Sequence, residues 1–188
     1  MKKLPVIFLL LAAAACSSKT NHTNAPDNAI TVSMKGIGDL KIGMKKESVE
    51  KMLKHKLVLP RLSPDSVNNY IDTVACKYKD IDYTLTFTRE WQEDSSYITK
   101  LSTVSSNSPL LKTPSGIAIG DDLCKIAGAY EDHRINVSPT YDYTGYKPVR
   151  TKGKSTITLY DNDSENAITF YMNNNKVEGM DVAFYEGD

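Results

Sequence analysis

Two stretches of this 188-residue chain carry the same short pattern, and a chain that repeats itself has to solve its packing problem twice in the same way. Placing Gly43 on Gly120 superposes Leu40 on Ile117, Ile42 on Ile119 and Val49 on Ile126. In each copy an apolar–x–apolar segment meets a glycine and then a helical pattern. A strand-like segment that turns sharply into a helix favours glycine, because glycine reaches positive φ without steric cost. In the second copy Asp121 is a candidate cap, with Asp122 favourable at the positive end of the helix. Leu123, Ile126, Ala127 and Tyr130 then fall at i, i+3, i+4 and i+7, which is one apolar face. Val49, Met52 and Leu53 make the face of the first copy, with Lys54 and Lys56 where a helix C-terminus favours cations.

Downstream of each helical pattern the period changes to two. Tyr83, Leu85 and Phe87 alternate with Thr84, Thr86 and Thr88, the pattern of a half-buried strand. Residues 97–101 read as its partner and residues 76–78 as the end of a preceding strand. Residues 155–161, 167–172 and 177–185 form the corresponding series, and Asn173, Asn174 and Asn175 suit a tight hairpin turn. The expected fold class is α+β. It comprises two tandem repeats, 30–107 and 108–188, each a helix followed by a three-stranded antiparallel β-meander. The first repeat has two helices if residues 64–70 form a short one, and residues 57–71 and 131–153 read as long connections. A repeat of about 70 residues buries little surface alone, so 30–188 is expected to fold as one cooperative unit.

The first 29 residues belong to neither repeat. Lys2 and Lys3 precede an unbroken apolar run at 6–15. A basic start, a short apolar run and small residues before a cut describe a secretory signal peptide. The run falls short of the about 20 apolar residues of a membrane span. Cys16, directly after Ala13, Ala14 and Ala15, resembles the lipobox cysteine of bacterial lipoproteins, which is diacylated after cleavage. That resemblance implies a signal peptide at 1–15 and a membrane anchor at Cys16. It implies a location in the bacterial cell envelope, with the periplasmic face of the outer membrane expected. Residues 17–29 contain no large apolar side chain and read as a flexible tether, residues 16–29, with a reach of roughly 20 Å. Removing residues 1–15 takes two of the 23 basic side chains, leaving 21 against 23 acidic and a net charge of −2. Such balance gives no footprint for nucleic acid, which requires a basic face or stripe.

The layout, with Gly38, Gly43, Met44 and Val49 leading into the first helix, resembles the superfamily of the outer-membrane assembly lipoprotein BamE (SmpA/OmlA). The tandem relatives of that superfamily include the β-lactamase inhibitory protein. The resemblance implies the α/β repeat fold.

Side chains with the spacing of a catalytic or metal site are not found in the sequence. His22, His55 and His133 form no zinc spacing, and no serine stands in Gly-x-Ser-x-Gly. Asp161, Asp163 and Glu165 lie in an acidic run without the glycine and terminal glutamate of a calcium loop, and read as a hairpin turn. No cofactor and no metal are expected. Cys76 and Cys124 are either a bridge between the halves, favoured by an oxidising envelope, or two separate buried thiols. Either Tyr141, Tyr143 and Tyr146 form a contact loop, since tyrosine concentrates at binding hot spots, or alternating Tyr141 and Tyr143 are strand residues covering the sheet. Trp91 has the same two readings. The function expected is non-catalytic: a lipid-anchored envelope protein acting through contacts with another envelope protein. The alternative is a periplasmic small-ligand or glycan-binding module.

Overall fold

A computed structural model describes residues 28–62, 70–93, 96–143, 145–161 and 165–185. The expected signal peptide, Cys16, all but the last two residues of the expected tether, and residues 64–69 of the expected second helix lie outside the described residues. So do the middle of the acidic run and His22.

The described chain is mostly β, which corrects the expected α+β repeat fold. Strands β1 (Ile30–Ser33), β2 (Gly36–Ile37) and β3 (Leu40–Lys41) lead into helix α1 (Lys46–Leu53), and a 3-10 turn follows at Pro60–Leu62. Next come β4 (Ile71–Tyr78), β5 (Ile81–Trp91), β6 (Tyr97–Ser106) and β7 (Leu111–Lys112). After helix α2 (Leu123–Ala129) run β8 (Ile135–Asp142), β9 (Val149–Tyr160), β10 (Asn166–Asn173) and β11 (Lys176–Phe184). The helices have only eight and seven residues, while β5, β6 and β9 have eleven, ten and twelve. Seven strands form one antiparallel sheet in the order β4-β5-β6-β11-β10-β9-β8, and four short ones form a second in the order β3-β2-β1-β7. Residues 131–153, expected as a connection, supply β8 and the start of β9, so the second half adds four strands to the large sheet rather than three.

The two glycine turns position the helices. Gly43 and Gly120 hold φ of 82° and 88°, a region that glycine enters freely. Gly43 N donates to Leu101 O while Leu101 N donates to Met44 O; Gly120 N donates to Val177 O while Val177 N donates to Asp121 O. Each turn is thus clamped by a reciprocal pair of bonds to a strand of the large sheet. The α2 cap is Asp122 rather than Asp121: Asp122 Oδ1 accepts from Lys125 N at 3.1 Å. Asp121 Oδ2 instead accepts from Ala118 N and from the Lys125 ammonium. Of the expected α2 face, Ile126 and Tyr130 are buried and Leu123 half-buried, but Ala127 is exposed.

The core lies between one side of the seven-stranded sheet and a layer made of the helices and the small sheet. A single row of cross-strand partners spans all seven strands: Val74, Leu85, Val104, Val182, Ile168, Leu159 and Ile135. Leu85, Val104 and Val182 are fully buried. Val49 of α1, Val32 of β1, Ile37 of β2 and Ile126 of α2 belong to the same cluster. Fully burying such a side chain contributes about 1.5–3 kcal/mol, so this one row accounts for much of what keeps the sheet together.

Candidate functional site: the uncovered face of the sheet

In a strand, successive side chains point to opposite faces, so the row one residue away from the apolar one lies on the other side. It reads Ala75, Thr84, Ser105, Asp181, Thr169, Thr158 and Asn136 across the same seven strands. Among the described residues no helix or strand covers this face. Threonine extends beyond the row: Thr73 and Thr86 meet across β4 and β5 with hydroxyls 3.0 Å apart. β-branched threonine satisfies the strand backbone and leaves a hydroxyl pointing outward.

Asp181 is the ionisable member of the row, and it is 93% buried at the centre of the sheet, with a relative exposure of 7%. Its Oδ2 accepts from the Tyr171 hydroxyl at 2.5 Å, while Oδ1 has no hydrogen-bond partner. Burial pushes the Asp181 carboxyl up, against the opposing pull of the Tyr171 hydroxyl and Thr169. Burial, and then the nearby Asp181 charge, push the Tyr171 hydroxyl well above its ordinary value. Tyr171 therefore stays protonated and donates through the whole neutral range.

Beside this pair the face deepens into a groove of about 880 Å³. Its floor includes Thr84, Ser105 and Gly179; Tyr171 forms one wall, and Asp82, Asn107 and Glu178 stand around it. Gly179 adds no side chain to the floor, and a Cβ there would meet Ser106 O at 3.5 Å and Asn107 Cβ at 3.8 Å. Glu178 is paired with the Lys154 ammonium. The groove can exchange hydrogen bonds in both senses through hydroxyls and an amide, and its charged members are acidic.

The residues singled out in the sequence lie elsewhere. Tyr141, next to last in β8, is 43% exposed, and Tyr143 and Tyr146 in the following loop are exposed at 73% and 108%. Tyr141 is thus a strand residue, while Tyr143 and Tyr146 belong to the loop. Trp91 ends β5 and is 56% exposed, its ring edge-on to Tyr97 at 5.9 Å. Cys76, half-buried on β4, packs against the core, whereas Cys124 is exposed on α2. No disulfide joins them; α2 packs its Tyr130 against Phe170 of β10, four strands from β4. His55 and His133 are exposed, and His133 lies edge-on to Tyr130 at 5.4 Å. Among the described residues no group of His, Cys, Asp and Glu is arranged to hold a metal, and no helix is long and apolar enough to cross a membrane.

Sequence reasoning passed over Tyr171 and Asp181. A signal for Asp181 was present: a carboxylate flanked directly by Met180 and Val182 in the most apolar part of β11. No family model, curated protein or solved structure matches this chain, so what the face does is read from its own chemistry.

Proposed function

We propose that this is a non-catalytic, lipid-anchored envelope protein that acts by holding a partner protein against the uncovered face of its seven-stranded sheet. The observation that supports this reading is the contrast between the two faces. One is packed throughout, while the other presents threonine and serine hydroxyls with nothing over them among the described residues. Six strand spacings make the face about 29 Å wide, and its strands run roughly 27–40 Å. That matches the about 800 Å² that each partner contributes to a standard protein interface. Exposed Trp91, Tyr141, Tyr143 and Tyr146 supply the residue types that dominate interface energetics. The groove favours a second reading, a saccharide or other polyhydroxylated ligand held by the hydroxyls of Thr84 and Ser105 and the carboxylates of Asp82 and Glu178.

Photo-crosslinking in living cells separates these readings. A crosslinking residue at Thr86 or Thr158 should trap one protein, and the same residue at Ser48, on the outer side of α1, should not. Absence of any protein adduct from the sheet face overturns the partner reading. Capture of a saccharide by the groove that is lost in Tyr171→Ala would establish the second. The anchor is tested separately: a fatty-acid probe should label the wild-type protein and not Cys16→Ala, and unlabelled, soluble wild-type protein defeats it.

A further inference from the structure

The chain as a whole is neutral, yet residues 35–61 hold eight basic side chains against three acidic ones, an excess of five positive charges. This stretch is β2, β3, α1 and the loop after it, and all of it sits in the layer on the covered side of the large sheet. The fold sharpens the excess. Glu50 is turned inward, 5% exposed, where it accepts from Lys46 Nζ at 2.6 Å, Leu57 N at 2.8 Å and Lys56 Nζ at 3.2 Å. Asp39 is held by Lys79 at 2.7 Å. Glu47 is then the one acid left on the outer side of α1, while Lys45, Lys51 and Lys54 are exposed, and Lys56, exposed as well, is paired with Glu50.

In the loop after the helix, Leu57 and Leu59 are buried and Val58 between them is 78% exposed. Two core anchors therefore hold an apolar side chain outward, four residues from Lys54 and two from Lys56. A lone exposed valine is ordinary. A valine fixed among lysines has the chemistry of an interfacial contact, in which cations meet anionic headgroups and an apolar tip enters the boundary. The described chain starts at Asn28, two residues before β1, so the tether joins this same layer.

We infer that the basic side of α1, with Val58 at its tip, is a docking surface for an anionic phospholipid bilayer. Docked this way, the molecule turns its uncovered sheet face away from the membrane. The inference rests on the lipid-anchored reading above. The two acyl chains of such an anchor already make attachment stable; the basic side adds a preferred orientation on an anionic surface.

The test uses full-length protein purified from membranes and reconstituted by its own anchor into vesicles of phosphatidylcholine, with or without phosphatidylglycerol. Brief acetylation of lysines, read residue by residue by mass spectrometry, reports contact. Lys45, Lys51 and Lys54 should react roughly three-fold or more slowly on the anionic vesicles, with protection lost at about 0.5 M salt. Exposed Lys147 and Lys152, near and on β9, should react equally on both. The double variant Lys51→Glu, Lys54→Glu should abolish the protection of Lys45 while melting as the wild type does. Equal rates at α1 on both vesicles, or equal protection at Lys147 and Lys152, overturns the inference. Protein that incorporates into neither vesicle defeats the acyl anchor instead, and the same labelling with added anionic vesicles then reads the basic side by itself.

Discussion

The apolar row through Val182 and the polar row through Asp181 run over the same seven strands, one residue apart, with opposite contents. All seven partners in the first are branched aliphatics buried or half-buried in the core. The second holds three threonines, a serine and an asparagine, with one carboxylate at its centre. The two rows are interleaved along every strand, and register alone aligns each of them across the sheet. A one-residue slip in any strand would exchange the two faces, so the pairing of β6 with β11 determines which side of the molecule is solid and which is open.

Moving the acid by one position gives the largest expected effect. Val182→Asp places a charge in the apolar row, with an expected cost of about 4 kcal/mol or more. Dispersed amide signals should vanish from both halves of the chain together, since the sheet is shared. Survival of one half would show that the row is not a single unit.

Glu50 and Asp181 offer a second comparison, because both are buried carboxylates with opposite shifts. Burial raises the Glu50 carboxyl, but bonds from Lys46, the Leu57 amide and Lys56 outweigh it and bring it from 4.5 to about 2. Its contribution is therefore complete above pH 4.5 and lost as pH falls from there toward about 2. Glu50→Gln should lower stability at neutral pH by about 1–3 kcal/mol and flatten the acid limb in that window, as measured by urea unfolding at a series of pH values.

Asp181 has the reverse sign. Its carboxyl is raised, so the fold is weakened as pH rises from its unfolded value of 3.8 through the folded one. Asp181→Asn should stabilise by about 1 kcal/mol at neutral pH, since the amide oxygen still accepts from Tyr171. The gain should vanish below pH 3.8. A loss at neutral pH would mean that the charge itself holds the centre of the face together.

The smallest effect belongs to the open face. Thr84→Ala should change unfolding free energy by less than about 0.5 kcal/mol while weakening whatever binds the groove. Large destabilisation there would show that the face is structural.

Much of this was legible locally and little of it globally. Alternation in Tyr83, Leu85 and Phe87 marks a strand because it depends on nearest neighbours alone, and the same is true of the α2 stripe at Leu123, Ile126 and Tyr130. The helical patterns suggested more helix than forms, since each spans about two turns and gains its order from packing. β8 was passed over although Ile135, Val137 and Tyr141 alternate with polar residues: Pro139 interrupts the run, and as a largely exposed edge strand it buries little of that face. The two-residue strands β2, β3 and β7 are too short to carry a period. Asp181 was visible as a residue but not as a site: its meeting with Thr169 and Tyr171 depends on the register of the β10–β11 hairpin, which shifts at Tyr171/Met172, and its meeting with Ser105 on a strand far away in the sequence.

The β6–β11 joint also sets a clock. β6 ends at Ser106 and its partner begins at Lys176, roughly 70 residues later, and β11 is the last strand described. At synthesis rates of about 5–20 residues per second, the first three strands exist for some 4–14 s before the fourth can arrive. During that interval β6 has an unpaired edge, the template on which chains join one another. The same joint that unites the finished sheet makes its assembly wait for nearly the end of the chain, and a chain cut short before Lys176 would keep that edge open permanently.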